Sequence, residues 1–193
     1  MRPYHCVIDP GHGGSDPGAI SRDGTVLEKD INLNIALLIR TQAMRGDYLF
    51  TPLLTRGDDH FVSLKRRCEI ANDIGADAFM SIHCNARPRL GKPGIESEVY
   101  HYPNSQRGIN FATISLNYLI KSIQSLNIQV HNRGRKEGEF YVLRNTRMPA
   151  ILVEVGFVTD PEEAAILKSV ENQGVIAQWL VNAIEFYLEG GGI

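Results

Sequence analysis

Four polar side chains occupy positions where a buried apolar segment would not place them. His12 follows a short apolar segment and lies between glycines, and His83 ends the apolar run Ala78–Ile82. Glu28 lies at the start of a predicted helix, and Glu154 follows three aliphatic residues. Two histidines and one carboxylate form a common ligand set for catalytic zinc, which leaves one coordination position for water. A second carboxylate beside such a metal can act as a general base.

This pattern predicts His12, Glu28 and His83 as metal ligands and Glu154 as the base. A buried carboxylate tends to have a raised pKa and can return a proton to a leaving amine. Each residue alone also has an ordinary explanation. His12 could be an exposed turn histidine and Glu28 could stabilise the helix dipole. His83 could be a hydrogen-bonded core histidine, and Glu154 could form a buried ion pair. The ligands are scattered, with no H-E-x-x-H helix, so the zinc site is inferred from the four residues together.

A phosphate-binding loop is the other reading of the glycine-rich segment Gly11–Gly24. It contains neither G-x-G-x-x-G nor G-K-[ST], so the sequence does not favour that reading.

These residues need a scaffold of alternating strands and helices. The predicted strands are Tyr4–Asp9, Leu49–Thr55, Ala78–His83, Gly94–Tyr102, Tyr141–Leu143 and Ala150–Val155. The predicted helices are Lys29–Arg45, Phe61–Ile74, Gln106–Leu126, one that begins at Pro161, and Asn172–Leu188. This order indicates an α/β domain with a mixed or largely parallel sheet and helices on both faces. In such folds the chemistry gathers at the carboxyl ends of the strands.

Length and composition exclude several classes of protein. A chain of 193 residues favours one domain. Its 43% hydrophobic and 22% charged residues are near the globular average, which excludes a disordered chain or a disulfide mini-protein. A net charge of −2 gives no electrostatic reason for a nucleic-acid or membrane-surface partner. No apolar run reaches the length of about 18 residues that predicts a membrane-spanning helix.

The cysteines and the chain ends lead to three further expectations. Three cysteines, an odd number, are expected to be reduced, buried thiols. The apolar segment Cys6–Ile8 is shorter than the run of about 7–15 residues in a signal peptide, so none is predicted. The glycine-rich residues 190–193 are predicted to begin a linker after a single catalytic domain of residues 1–189.

Several short segments around these residues recur, in this order, in one known family. They are Val7–Ala19, Leu27–Leu33, Leu54–Arg56 followed by Leu64, Arg66–Arg67 and Ala71–Asn72, then Ser81–Ala86, Gly94–Glu96 and Pro149–Phe157. Together they resemble the zinc-dependent N-acetylmuramoyl-L-alanine amidases of the type-3 family. The resemblance covers nearly the whole chain, from about Tyr4 to Leu188.

The resemblance implies a three-layer α/β/α sandwich and one zinc held by His12, Glu28 and His83. It implies that Glu154 is the catalytic carboxylate. The reaction it implies is hydrolysis of the amide that joins N-acetylmuramic acid to L-alanine of the stem peptide in peptidoglycan. Such an enzyme acts on the cell wall, either as a phage endolysin released through a holin or as a trimmed secreted bacterial enzyme. A wall-binding module would then follow the C-terminal linker.

Three further residues are expected to support substrate binding. Asn85 lies two residues after His83 and is expected on the same face of the strand. Glu96 lies in a matching segment and is expected next to the site. Arg144 is suited to meet a substrate carboxylate, because a guanidinium pairs well with planar acceptors.

Some members of the family carry a helical insertion that covers the zinc until a partner removes it. Here about 40 residues separate Tyr102 from Tyr141. One helix and a loop over 127–140 are predicted to use all of them. We therefore expect no autoinhibitory segment and no need for an activator.

Other functional classes compete with the amidase. The first alternative is a zinc carboxypeptidase-like hydrolase on a related fold. A second is a cysteine hydrolase with Cys84 as the nucleophile; adjacent strand residues point to opposite faces, so His83 is a poor base for it. A third is a wall-binding module without catalysis, which the presence of all four site residues disfavours.

Overall fold

The computed structural model describes residues 4–191 and folds them around one six-stranded sheet. The strands are β1 (Tyr4–Pro10), β2 (Phe50–Leu54), β3 (Ala78–Asn85), β4 (Ile95–His101), β5 (Val130–Glu137) and β6 (Ala150–Phe157). The helices are α1 (Glu28–Arg45), α2 (Leu64–Asp73), α3 (Gln106–Ser125), α4 (Tyr141–Asn145), α5 (Pro161–Lys168) and α6 (Val170–Leu188). Met1–Pro3 and the last two residues of the predicted linker lie outside the described residues.

The sheet is mixed and largely parallel, as expected. Its strand order is β2-β1-β3-β6-β4-β5. Only β4 and β6 pair antiparallel, and the other neighbours run parallel. Strands β3 and β6 are therefore central neighbours, and their carboxyl ends lie at the same edge of the sheet.

The two faces of the sheet carry separate apolar cores, which gives the predicted three layers. Ile8, Met80 and Val153 belong to the larger core, which includes residues of α1, α3 and α6. Val7 and Phe79 belong to the smaller core, which includes residues of α2 and α4. Neighbouring strand residues thus alternate between the two layers, as the period of two requires.

This alternation places the candidate site on the smaller face. His83 lies four residues after Phe79, and Glu154 lies two residues after Leu152, so both side chains continue the set that faces α2 and α4. Helices α2 and α4 have only 10 and 5 residues. Beyond these short helices, the strand ends stay open enough to form a cleft.

One predicted strand is wrong, and one strand was missed. Residues Tyr141–Leu143 form the start of α4, because the amides of Leu143 and Arg144 donate to the carbonyl of Phe140 in a helical turn. The predicted loop over 127–140 contains strand β5. This edge strand lacks apolar alternation, since its backbone pairs with β4 and its basic side chains Arg133 and Lys136 form salt bridges with buried carboxylates of β4.

Helix α2 begins three residues later than predicted. The hydroxyl of Ser63 accepts a hydrogen bond from the amide of Arg66 (3.2 Å) and caps the helix. Phe61 therefore lies in the loop before α2 and is 56% exposed.

The expectation about the cysteines is confirmed. Cys6, Cys68 and Cys84 are free and buried. None of the helices in residues 4–191 combines the length and apolar character needed to cross a membrane.

Candidate active site

The three predicted metal ligands meet at the carboxyl edge of the sheet. One ligand atom from each of His12, Glu28 and His83 lies within 4.8 Å of the others. Glu28 Oε1 lies 3.2 Å from His12 Nε2 and 2.9 Å from His83 Nδ1. Ligands at about 2.0–2.2 Å from a tetrahedral zinc lie about 3.3 Å apart, so this donor set fits such an ion.

Neighbouring groups orient two of the ligands, His12 and Glu28. His12 Nδ1 donates to Asp16 Oδ2 (2.8 Å), which directs His12 Nε2 toward the other two ligands. Glu28 is buried and accepts hydrogen bonds from two backbone amides, those of Ala19 (2.7 Å) and Cys84 (3.0 Å). The ligand geometry is therefore built into the fold.

His12 and Glu28 shift each other's pKa in opposite directions. Burial lowers the pKa of His12, but the hydrogen bonds and charges of Glu28 and Asp16 outweigh it and raise the pKa to about 9. Burial raises the pKa of Glu28, but hydrogen bonds from His12 and His83 hold it well below its ordinary range. Glu28 is thus a stable anion, and a cation bound at His12 Nε2 would displace the proton there.

Two backbone features of the first loop position the rings of His12 and His83. A Cβ at Gly11 would lie 2.2 Å from the ring of His83, so only glycine lets that ring approach β1. His12 itself has φ 61°, in the left-handed region, which is uncommon outside glycine. This conformation turns its side chain toward Glu28.

Glu154 lies beside the ligands on the adjacent strand. It pairs in register with His83 across β3 and β6, and both line one cavity of about 550 Å³. Its Oε2 is buried and has no hydrogen-bond partner among residues 4–191. Burial raises the pKa of Glu154 to about 7; His83 opposes this rise, and Glu28 and Glu98 add to it. A carboxylate tuned in this way can both take and return a proton near neutral pH.

Cys84 is poorly suited to act as a nucleophile. Its side chain lies in the larger core, on the opposite face from His83. Burial raises the pKa of the thiol well above its ordinary value, which keeps it protonated. The thiolate that a cysteine hydrolase needs is therefore disfavoured.

Asn85 and Glu96 belong to a polar network next to the cleft. Asn85 Nδ2 donates to Glu98 Oε1 (2.8 Å), and Glu98 pairs in register with Glu154. Glu96 holds Arg87 and Arg133 at 2.6 and 2.8 Å. The residues of this network are not among the described residues that line the cavity. Substrate contact by Asn85 or Glu96 stays a prediction.

Arg144 lies on the far side of α4 from the cleft. It lines a second cavity of about 170 Å³ with Arg107 and Arg147, and it pairs with Glu139 at 3.6 Å. Tyr141, at the start of the same helix, lines the catalytic cavity instead. Contact between Arg144 and a substrate carboxylate likewise stays a prediction.

A buried arginine supports the ligand loop, and sequence reasoning missed it. Arg67 on α2 donates to Asp9 Oδ1 and to the carbonyls of Pro10 and His12, each at 2.7 Å. It also donates to the carbonyl of Val62 (3.0 Å). Arg67 thereby joins the end of β1, the His12 loop and the loop before α2. The sequence offered one indication of this role: Arg67 lies in one of the segments that resemble the amidase family.

Gly13→Ala is expected to destabilise the protein by about 1–3 kcal/mol. Gly13 has φ 127°, which alanine rarely adopts, and a Cβ there would lie 2.4 Å from the carbonyl oxygen of His60. Urea unfolding measures the change. Gly174→Ala is the matched control: Gly174 lies inside α6 with open space around it, so alanine should stabilise by about 0.5–1 kcal/mol. Equal stability of Gly13→Ala and the wild type would contradict the strain argument.

Comparison with known proteins decides the family. A family model described as N-acetylmuramoyl-L-alanine amidase matches residues 6–186. The chain belongs to this family. The sporulation-specific N-acetylmuramoyl-L-alanine amidase of Bacillus subtilis (strain 168) is 38% identical over 178 residues, which cover 92% of this chain and 66% of that protein. The amidase CwlM of Bacillus licheniformis is 41% identical over 162 residues, which cover 84% of this chain and 60% of that protein.

Two solved amidase structures share the fold over nearly their full length. The N-acetylmuramoyl-L-alanine amidase of Clostridium difficile 630 has a TM-score of 0.89 at 32% identity, with 100% of both chains covered. The catalytic domain of CwlV from Bacillus (Paenibacillus) polymyxa var. colistinus has a TM-score of 0.87 at 32% identity. That match covers 96% of this chain and 98% of the CwlV domain. The three-layer fold predicted from the sequence is thus the fold of this amidase family.

Proposed function

We propose that this amidase hydrolyses the amide between N-acetylmuramic acid and L-alanine of the stem peptide in bacterial cell-wall peptidoglycan. One observation carries the proposal: His12, Glu28 and His83 converge in the same cavity as a buried, unpartnered carboxylate oxygen of Glu154. The family match supports the substrate, which these side chains alone do not specify. Two histidines and a glutamate also hold the zinc of some carboxypeptidases, so the ligand set does not decide between the two enzymes. The family match is what favours the amidase over the carboxypeptidase alternative.

The ligand set supports one zinc ion per chain. Two imidazole nitrogens and a carboxylate oxygen at the observed spacing are typical zinc donors, and Asp16 supplies the outer hydrogen bond that fixes the first histidine. When bound, zinc acts as a Lewis acid and lowers the pKa of coordinated water to about 7.

Glu154 handles the proton in this mechanism. Its Oε2 takes a proton from the attacking water and later gives it to the amide nitrogen as the carbon–nitrogen bond breaks. The released amine becomes the free N-terminus of the L-alanine. The low polarity around Oε2 favours this exchange, because the neutral and charged forms of the carboxyl are close in free energy there.

Product analysis on purified peptidoglycan tests the function. We expect new N-terminal alanine without new reducing sugar ends, and about one zinc per chain by metal analysis. A chelator should abolish activity and added zinc should restore it.

We expect turnover without an activator protein, since α3 and β5 between Tyr102 and Tyr141 pack against the sheet and α6 rather than in the cavity. Released C-terminal amino acids would instead indicate a peptidase, and a strict need for an activator would overturn the last expectation.

A further inference from the structure

Large apolar side chains are exposed around the candidate active site. Phe61, Leu64, Phe140 and Tyr141 line the catalytic cavity and are between 40 and 56% exposed. We call these four residues the aromatic wall. They come from the starts of α2 and α4 and the residues just before these helices, far apart in sequence. Grouped exposed apolar side chains with a polar surround mark binding sites rather than chance exposure.

The first part of the aromatic wall is fixed to the ligand loop. Asp59 Oδ1 accepts from the amide of Gly14, and Asp59 Oδ2 accepts from Lys29 Nζ, both at 2.7 Å. These bonds hold the loop that carries Phe61 against the loop that carries His12. The position of Phe61 is therefore coupled to the position of the metal ligands.

The second part of the aromatic wall is also positioned before any ligand arrives. The ring of Phe140 packs edge-on against Tyr100, with ring centroids 5.0 Å apart and an interplanar angle of 81°. A Cβ at Gly138 would lie 2.6 Å from the Phe140 ring, so the chain passes directly beside it. The carbonyl of Phe140 accepts the first hydrogen bonds of α4. Preorganised side chains bind with a smaller loss of conformational entropy.

The basic side chains in the cavity are paired with acidic side chains of the protein. Arg67 is buried on Asp9, and Asp16 holds His12. No described residue that lines the cavity therefore offers a free cation to a carboxylate. Three arginines, Arg107, Arg144 and Arg147, line the separate cavity beyond α4 instead. The ligand chemistry that fits the aromatic wall is uncharged and has apolar C–H faces.

We propose that the aromatic wall binds a sugar ring of the glycan strand next to the scissile amide. A pyranose ring presents C–H groups that carry partial positive charge, and aromatic faces carry partial negative charge. The stem peptide, by contrast, brings carboxylates for which the wall has no partner. This inference rests on the proposed function, because that function places a sugar on one side of the cleaved bond.

Two substrates that differ only in the sugar test the inference. One is the GlcNAc–MurNAc disaccharide with its stem peptide, and the other is the same stem peptide carrying only the D-lactyl group. We expect Phe61→Ala and Phe140→Ala each to lower kcat/KM on the glycopeptide by about 10-fold, mainly through KM. On the lactyl peptide we expect these variants to change kcat/KM by less than about 2-fold, since no ring is present to stack.

Three control variants separate stacking from general damage. Phe186→Ala removes an exposed aromatic ring from α6, outside the described lining of the cavity, and should leave both substrates unaffected. Phe140→Trp should keep the glycopeptide activity because it keeps a π-face. Phe140→Leu should lose it although it stays apolar.

The outcomes distinguish this inference from the proposed function. Equal losses on both substrates would assign the wall to the peptide, and no loss on either would remove it from recognition; both overturn the inference. If the wild type cleaves neither substrate, the proposed function fails. Binding of the peptide-free GlcNAc–MurNAc disaccharide then tests whether the aromatic wall binds a sugar ring. Its NMR-measured Kd should rise about 10-fold in Phe140→Ala and stay constant in Phe186→Ala. An unchanged Kd in Phe140→Ala would overturn the inference.

Discussion

Replacing Glu154 with glutamine should lower kcat by a factor of about 10²–10⁴, the usual contribution of a positioned general base. Glutamine has nearly the same shape but cannot take a proton from water or return it to the leaving nitrogen. The ligand geometry should persist, because no described ligand donates to Glu154 Oε2. The expected pattern is therefore a loss of turnover with full metal content.

Steady-state kinetics on a soluble glycopeptide, metal analysis and urea unfolding check this result together. Glu137→Gln is the matched control: Glu137 is exposed at the end of β5 and lies outside the described lining of the cavity. It should behave as the wild type. Normal hydrolysis by Glu154→Gln would show that another group moves the proton, while loss of zinc from this variant would mean that Glu154 supports the metal instead.

The site was predictable where polar residues interrupt apolar strands. His83 and Glu154 could be identified because a histidine or carboxylate at the end of a buried strand needs a partner. The period of two also predicted that Cys84 faces away from His83, and the structure places it in the opposite core. These inferences need only local pattern and the rule that parallel strands place their ends at one edge.

The remaining features depend on contacts that no local pattern shows. Strand β5 has a polar sequence because it pairs through its backbone at the sheet edge and its basic side chains pair with Glu96 and Glu98, so its residues resembled a loop. The short apolar run at Tyr141 resembled a strand, but the carbonyl of Phe140 starts a helix there. Asp16 and Arg67 act on His12 from 4 and 55 residues away, and only the folded chain shows these pairings.

Arg67→Met should cost about 3–5 kcal/mol of unfolding free energy, because it leaves a buried carboxylate without its cation. The side chains of Arg67 and Asp9 are 3% and 1% exposed. Asp9 would keep hydrogen bonds from Thr55 and Ser81, at 2.6 and 2.8 Å, but it would lose its salt bridge with Arg67. The charge of Arg56 would still act on Asp9, without a hydrogen bond between the two side chains. A small domain with a stability of about 5–15 kcal/mol would stay folded, so urea unfolding can measure the loss.

The neighbouring arginine on the same helix is the matched control. Arg66 is exposed and lies 3.5 Å from Glu69, so Arg66→Met should cost at most about 0.5 kcal/mol. Asp9→Asn combined with Arg67→Met should cost less than the sum of the two single changes, since the second removes the charge that the first leaves unpaired. Additive costs, or a loss below about 1 kcal/mol for Arg67→Met, would show that the pair does not anchor β1 to α2. Arg67→Met should also weaken zinc binding, because the carbonyl of His12 loses its donor and the ligand loop is freed at that point.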